Sequence, residues 1–151
     1  MTPAGKKRVL FVCIGNACRS QMAEGFARAY GSDVMIAASA GLMPAFRIPS
    51  RTLRAMDEKN IDLRDHFPKA LRHLGRAEFD LVVNMSGFFL PEEFKEWRAV
   101  DWEVSDPVQM EYEEHCEIRD MIEALVMKLV LELRVPPATQ FRGQGSGRFT
   151  P

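Results

Sequence analysis

The sequence contains no run of about 18 apolar residues, and its N-terminus lacks the apolar stretch of a secretory signal peptide. We therefore expect neither a membrane-spanning helix nor an exported protein. The formal net charge is −1, which gives the chain no overall attraction to nucleic acid or to an acidic membrane surface. We expect neither of these as a partner.

Cysteine is also scarce, with 3 residues in a chain of 151. The odd number argues against a disulfide scaffold, and the spacing of cysteines and histidines does not match a metal-ligand set. Free thiols are typical of the reducing cytosol. We therefore predict a cytoplasmic protein with no metal and no other cofactor.

The sequence does contain an alternation of strand-like and helical patterns. Hydrophobic residues make up 46% and charged residues 27%, which is typical of a globular domain, and the length is sufficient for a core. Apolar runs predict strands at 8–13, 34–39, 79–85 and 100–104, and periodicity predicts helices at 17–30, 50–60 and 113–134, with short helices within 62–75 and 91–97. This order predicts an α/β domain with a parallel sheet, in which ligands bind at the carboxyl ends of the strands.

The end of the chain differs in composition from the rest. Residues 135–151 carry prolines, glycines and no acidic residue, which predicts a flexible tail. Residues 1–134 would then form a single folded domain. Within this domain we expect Gly31 to cap the end of the first helix and the Ser50 side chain to cap the start of the second.

The most informative stretch is the junction of the first strand and the first helix. Cys13 ends the strand, and Arg19 follows six positions later. Gly15 and Asn16 lie between them and are residue types that tolerate a left-handed backbone. A tight loop at a helix N-terminus presents amide hydrogens that bind tetrahedral oxyanions. The same field lowers the pKa of a cysteine from about 8.5 to roughly 3.5–7.5, so we predict a nucleophilic Cys13 beneath an oxyanion site.

Residues Val12–Ser20, with the sequence VCIGNACRS, resemble the signature of the low-molecular-weight protein tyrosine phosphatases and their arsenate reductase relatives. Gln21–Gly25 resemble the arsenate reductase branch more, because the phosphatase branch usually has proline in place of the glutamine. Further matches are Ser39–Gly41 after the second strand and Ser105–Pro107 near the end. The resemblance implies a three-layer α/β fold with a four-stranded, parallel, doubly wound sheet and flanking helices. It makes residues 1–134 a phosphatase-like catalytic domain.

The resemblance also implies a role for each residue of the site. Cys13 would attack phosphorus and form a cysteinyl-phosphate, Arg19 would hold two phosphate oxygens, and Asp106 would serve as general acid and then as base. Asp101 is a competing carboxylate, but it lies in a predicted strand. The loop residues expected to bind the substrate are Ile14, Gly15, Asn16, Ala17, Cys18 and Ser20.

Several positions would support this site. The Ser20 hydroxyl would bond the thiolate, Asn16 would fix the shape of the loop, and Ser39 would lie next to Asn16 in the family arrangement. Cys18 has two interpretations. It is either a packing residue of the first helix, or the partner of Cys13 in a disulfide that reversibly shuts off the thiolate.

The loop alone does not separate two reactions, because phosphate and arsenate are both tetrahedral oxyanions. In thioredoxin-coupled arsenate reductases of this family, two further cysteines supply electrons, but residues 84–104 of this chain contain none. A reductase that uses an external low-molecular-weight thiol remains the alternative. The leading function is phosphomonoester hydrolysis of a phosphorylated protein, phosphotyrosine in particular, or of a small phosphomonoester. A non-catalytic phosphate or phosphopeptide binder is a third function, disfavoured because binding needs neither thiol nor acid.

The wall of a phosphotyrosine slot is the least clear part of the resemblance. Eukaryotic-type members carry aromatic residues directly after the Asp-Pro pair, where this chain has Val108 and Gln109. Phe46 is the first choice for stacking on a phenyl ring. Other aromatic candidates are Phe88, Phe89 and Tyr112.

Overall fold

A computed structural model describes residues 5–74, 78–94 and 96–135. Four parallel strands form one sheet in the order β2-β1-β3-β4, where β1 is Lys7–Cys13, β2 Met35–Gly41, β3 Leu81–Asn84 and β4 Ala99–Asp101. The α-helices are α1 (Arg19–Gly31), α2 (Ser50–Asp57) and α3 (Tyr112–Arg134), and short 3₁₀ helices span Leu71–Leu74 and Glu92–Phe94. The predicted parallel α/β fold with a four-stranded sheet is confirmed.

The strand β1 is central because its apolar run is buried on both faces, as is typical of parallel sheets. Val9 and Phe11 pack in the core cluster formed by the three α-helices, whereas Leu10 and Val12 pack in a second cluster with the 3₁₀ helices. The chain leaves β1 toward β2 on one side, and β3 and β4 lie on the other. The carboxyl end of β1 is therefore the point where the strand order reverses, which is where α/β sheets bind ligands.

The ends of two helices differ from expectation. Gly31 is the last residue of α1 rather than its cap, and Ser32 holds the cap position. A Cβ atom on Gly31 would lie 2.6 Å from Cγ2 of Val130, so the glycine is needed for the close approach of α1 to α3. Ser50 is the first residue of α2; Pro49 occupies the cap position, and no side chain caps this helix. The prediction of a Ser50 cap is wrong.

The remaining elements lie where the patterns predict them, although β3 and β4 are shorter. None of the helices in the described ranges has the length and hydrophobicity that a membrane span requires. Apart from Val135, the predicted tail at 135–151 lies outside the described residues.

Candidate active site

The loop between β1 and α1 is held by its own main chain. Three hydrogen bonds join it to the segment after β2: Leu42 N to Cys13 O at 3.1 Å, Met43 N to Ile14 O at 2.8 Å, and Ala45 N to Gly15 O at 2.8 Å. In a trans peptide the carbonyl and the following amide point in opposite directions, and the described residues contain no cis peptide bond. The amides of Ile14, Gly15 and Asn16, which follow these carbonyls, therefore point away from this segment.

Asn16 fixes the shape of the loop from inside. It is fully buried, and its φ of 49° lies in the left-handed region. Its Nδ2 donates to Ser20 Oγ at 2.7 Å, and its Oδ1 accepts from Gln21 Nε2 at 3.1 Å and from the Lys69 amide at 3.0 Å. These contacts satisfy both ends of the side-chain amide, which offsets the cost of burying it.

Gly41 allows the loop to approach the end of β2. A Cβ atom at this position would lie 2.7 Å from the Ile14 carbonyl oxygen, 2.8 Å from the Asn16 nitrogen and 2.9 Å from the Gly15 carbonyl carbon. All three are main-chain atoms, so no side-chain rotation could relieve the clash. The glycine is therefore a requirement of the loop's position.

The cysteine lies at the base of the loop. Cys13 is 2% exposed, and its Sγ lies 2.9 Å from Ser20 Oγ. Because the Ser20 oxygen already accepts a hydrogen from Asn16, its own hydrogen is available to the sulfur. A hydroxyl hydrogen bond stabilises negative charge on sulfur. The structure thus brings together Cys13, Ser20 and Asn16 as expected from the sequence.

Arg19 connects the loop to the other two strands. It is 5% exposed, and its Nη1 donates to the carbonyls of Met85 at 2.5 Å and Val104 at 3.0 Å. Its Nη2 lies 3.5 Å from Asp106 Oδ2, and Asp106 Oδ1 accepts from the Val108 amide at 3.1 Å. The guanidinium is therefore fixed between the ends of β3 and the segment after β4, with the Asp106 carboxylate beside it.

Cys18 is the last residue of the loop, and its side chain contacts α2. It is 4% exposed, and Thr52 donates a hydrogen bond to its Sγ at 3.3 Å. Burial raises the pKa of Cys18 to about 11, so the group is a neutral thiol near neutral pH. A neutral thiol is a poor attacking group. Its pairing with Cys13 in a disulfide stays a prediction.

A cavity of about 790 Å³ lies beside Arg19, between β3 and the residues after β4. Aromatic side chains form much of its wall, including Phe88, Phe89 and Trp102. Phe46 does not line this cavity; it follows the segment bonded to the loop and is 97% exposed. The aromatic side chains in the cavity wall are therefore those after β3 and β4, and the role of Phe46 stays a prediction.

A cluster of polar and charged side chains surrounds a buried glutamate of α1 and was not predicted. Glu24 is 3% exposed; its carboxylate accepts from Ser39 Oγ at 2.5 Å and pairs with Arg28 Nη2 at 2.8 Å. The ring of His66 and the ammonium of Lys69 each lie 4.0 Å from this carboxylate. The i,i+4 spacing of Glu24 and Arg28 on α1 is the one local signal for this cluster. The other members, Ser39, His66 and Lys69, come from distant parts of the chain.

The hydroxyl of Ser39 is bonded to Glu24. Its expected position beside Asn16 stays a prediction. The hydrogen-bond partners of the Asn16 side chain are Ser20, Gln21 and Lys69. Within the described ranges, no group of three or more histidine, cysteine or acidic side chains is placed to hold a metal ion.

This geometry defines the class of α/β enzymes that hold a tetrahedral oxyanion above a cysteine at the start of a helix. The family model described as "Low molecular weight phosphotyrosine protein phosphatase" matches residues 8–137. The chain belongs to this family, whose members have a catalytic cysteine, and the resemblance read from the sequence is confirmed.

Several relatives carry an arsenate reductase name. The chain is 34% identical over 122 residues to an arsenate reductase of Bacillus cereus, covering 78% of this chain and 89% of that protein. It is 29% identical over 130 residues to the glutaredoxin arsenate reductase of Synechocystis, covering 84% and 98%.

Solved structures agree with these sequence comparisons. An arsenate reductase in the phosphate-binding state superimposes with a TM-score of 0.77 at 30% identity, covering 84% of this chain and 98% of the other. The YwlE arginine phosphatase of Geobacillus stearothermophilus gives a TM-score of 0.72 at 24% identity, covering 92% and 98%. At that identity the likeness concerns the fold alone.

Proposed function

We propose that this chain hydrolyses phosphomonoesters through a cysteinyl-phosphate intermediate. The observation that supports this most directly is the ion pair between Arg19 Nη2 and Asp106 Oδ2 at 3.5 Å. It lies at the end of the loop in which Cys13 Sγ is 2.9 Å from Ser20 Oγ. A nucleophile, an oxyanion site and a carboxyl group are then present together. A phosphate binder would need only the second of these.

The reaction runs in two steps. The loop amides and the Arg19 guanidinium hold the phosphoryl oxygens, and the Cys13 sulfur attacks phosphorus as the bond to the leaving oxygen breaks. Asp106, in its protonated form, gives its proton to that oxygen. The carboxylate then takes a proton from water, which attacks phosphorus, releases inorganic phosphate and restores the thiolate.

The cavity beside Arg19, whose lining includes neither Cys13 nor Asp106, offers space for the leaving group of an aryl phosphate. Its aromatic walls at Phe88, Phe89 and Trp102 offer apolar surface to a phenyl ring. A phosphorylated protein, phosphotyrosine in particular, or a small phosphomonoester fits this chemistry. The second candidate function is arsenate reduction with an external thiol, which is favoured by the arsenate reductases at 29–34% identity.

The two reactions differ in what they consume. In a reductase, Cys13 would displace an oxygen of arsenate and bind arsenic through sulfur. An external thiol would then attack that sulfur, so that the electron pair of the S–As bond stays on arsenic and arsenite leaves. A second thiol would break the mixed disulfide. Hydrolysis needs only water.

The test uses para-nitrophenyl phosphate and arsenate on the same preparations. We expect turnover of the ester to disappear in Cys13→Ser and to fall by about 10²-fold or more in Asp106→Asn. Cys116→Ser is the matched control for a cysteine outside the site and retains activity. Asp101→Asn tests the competing carboxylate, and we expect it to lower turnover less than Asp106→Asn does.

Three outcomes would contradict the proposal. Production of arsenite that depends on added thiol, without ester turnover, would replace hydrolysis by reduction. Tight phosphate binding with neither reaction would make the chain a binder. A larger loss in Asp101→Asn than in Asp106→Asn would move the acid to the other aspartate.

A further inference from the structure

Gln21 of α1 ties the active-site loop to the segment that follows α2. Its side chain is fully buried, and both ends of its amide are hydrogen-bonded. Nε2 donates to Asn16 Oδ1 at 3.1 Å and to the Phe67 carbonyl at 3.1 Å. Oε1 lies 3.0 Å from Nδ1 of His66. Gln21 is outside the site predicted from the sequence, although it directly follows Ser20.

One main-chain amide fixes the direction of these bonds. The Lys69 amide can only donate, and it lies 3.0 Å from the side chain of Asn16, so the atom that faces it is the oxygen Oδ1 rather than the nitrogen. That oxygen can only accept, so Gln21 faces it with Nε2, as it does the Phe67 carbonyl. The other end of the Gln21 amide is therefore an oxygen, and it accepts a hydrogen from Nδ1 of His66.

The same reasoning leads from Asn16 to the reactive sulfur. With Oδ1 on the side of Lys69 and Gln21, the nitrogen Nδ2 faces Ser20 and donates to its oxygen at 2.7 Å. The single hydrogen of the Ser20 hydroxyl is then available to Cys13 Sγ, 2.9 Å away. If the Asn16 amide turned round, its oxygen would accept that hydrogen instead. The bond from Gln21 therefore opposes a rotation that would leave the sulfur without its donor.

The outer end of this hydrogen-bonded chain is the ring of His66. The side chain is 19% exposed, and burial lowers the pKa of the ring, so the ring is neutral near neutral pH. Nδ1 lies 3.0 Å from Gln21 Oε1 and 4.0 Å from Glu24 Oε2, and both of these oxygens are hydrogen-bond acceptors. The ring therefore carries its hydrogen on Nδ1 and uses it to hold Gln21.

We propose that Gln21 is a positioning residue for the thiolate, and that His66 holds Gln21 in the orientation this requires. The hydrogen-bonded chain from the ring to the sulfur keeps the Ser20 hydroxyl directed at Cys13, where a hydroxyl hydrogen bond stabilises negative charge. The inference rests on the part of the proposed function that makes Cys13 the nucleophile. Proline, which the phosphatase branch usually has in place of Gln21, carries no side-chain amide and could not take this role.

The test measures how fast iodoacetamide alkylates Cys13 as a function of pH, with tandem mass spectrometry to distinguish this cysteine from Cys18. The reagent reacts with the thiolate, so the rate near neutral pH reports how far the sulfur is ionised. Gln21→Met keeps the length of the side chain and removes its amide. His66→Phe removes the ring donor, whereas His66→Asn offers a side-chain nitrogen in the place of Nδ1.

The matched control is Tyr30→Phe, which removes a hydrogen bond to Glu123 at the far end of the same helix. We expect Gln21→Met and His66→Phe to slow alkylation near neutral pH roughly two- to tenfold and to move the profile to higher pH. His66→Asn and Tyr30→Phe are expected to keep the wild-type profile. A loss of packing alone would lower stability without moving the profile, and variants at two positions guard against a failure of one to fold.

Two results would overturn the inference. One is an unchanged profile in both Gln21→Met and His66→Phe, or a His66→Asn profile shifted as far as that of His66→Phe. The other is an Nε2–H tautomer of His66 in long-range ¹H–¹⁵N NMR of the wild type, for which we expect Nδ1–H. Alkylation needs no substrate, so a wild type that is alkylated rapidly at Cys13 but hydrolyses no ester would overturn the proposed hydrolysis and leave the role of Gln21 intact.

Discussion

Two asparagines have a left-handed backbone, one in the active-site loop and one outside it. Comparing them distinguishes the energetic cost of that conformation from the role of the loop residue. Asn16 has a φ of 49° and is fully buried, whereas Asn60 has a φ of 60° and is exposed. Replacing either asparagine by alanine, which adopts a left-handed backbone less readily, costs about 1–2 kcal/mol. Asn16 additionally holds Ser20, Gln21 and the Lys69 amide.

We therefore expect Asn16→Ala to lower kcat/KM by about 10²-fold and to destabilise the fold by about 2–4 kcal/mol, because it leaves buried partners unpaired. Asn60→Ala is expected to cost about 1 kcal/mol and to leave kcat unchanged. Urea unfolding and ester turnover measure the two effects. Equal kinetics in the two variants would show that the Asn16 contacts are dispensable.

Gly41 gives the second prediction at this scale. Since its added Cβ would meet three main-chain atoms of the loop at 2.7–2.9 Å, Gly41→Ala must displace the oxyanion site and is expected to reduce phosphate affinity and kcat by at least about tenfold. Gly25→Ala is a matched control, because its Cβ would meet only side-chain ends at 3.1–3.2 Å. Isothermal titration with phosphate gives the comparison. A full affinity in Gly41→Ala would refute it.

The sequence was sufficient for those site residues that stand together in it. These residues lie within eight positions, and their types and spacing indicate a nucleophilic cysteine beneath an oxyanion site: Cys13, Asn16, Arg19 and Ser20. The partners that support them could not be found in this way. Glu24 and Ser39, or Thr52 and His115, meet only because the fold brings them together, and each alone reads as an ordinary surface or core residue.

At the scale of elements, the approach of α1 to α3 depends on one missing side chain. A Cβ at Gly31 would lie 2.6 Å from Val130 Cγ2. Gly31→Ala is expected to destabilise the fold by about 1–2 kcal/mol, because overpacking outweighs the gain of about 0.5–1 kcal/mol in helix propensity. Kinetic constants should not change, since the contact lies far along α1 from the loop.

A double-mutant cycle tests the cause. Val130→Ala alone leaves a cavity and is destabilising, but in combination with Gly31→Ala it removes the clash, so the two changes should be less costly together than their sum. Thermal or urea unfolding of the four proteins gives the coupling free energy. Strict additivity would mean that the helices do not press on each other at this point.

Element boundaries show where sequence patterns lose their power. The order and type of strands and long helices follow from periodicity, but the Ser50 cap was wrong because Pro49 takes that position. The short segments that pack on the second face of the sheet are 3₁₀ helices. They have too few residues to show a hydrophobic periodicity. The order of the strands, β2-β1-β3-β4, was not predicted, because it depends on pairing between distant segments.

At the scale of the whole molecule, the buried His115 and the half-buried His66 make the free energy of unfolding depend on pH. Burial lowers the pKa of both His66 and His115 in the folded chain. The unfolded chain therefore takes up protons first as the pH falls below about 6.5. Stability is fully present above that value and decreases as the pH falls toward the folded pKa values.

We expect the urea midpoint of the wild type to be lower at about pH 5.5 than at about pH 7.5, with His115→Phe reducing the difference. The carboxylates whose pKa is lowered, such as Asp62 and Glu123, act only at more acidic pH and do not interfere. An identical midpoint at the two pH values would contradict the prediction.

The three bonds from Leu42, Met43 and Ala45 to the carbonyls of the loop have an evolutionary consequence. In the proposed site, much of the anion binding comes from peptide groups, which every amino acid has. Replacement of side chains that neither support the loop nor contact the anion is therefore expected to change phosphate affinity little. One reaction can then replace another during evolution without a change in the backbone of the loop. The difference between a family member that hydrolyses esters and one that reduces arsenate must then lie in the residues around the loop and in the water or external thiol that the reaction consumes.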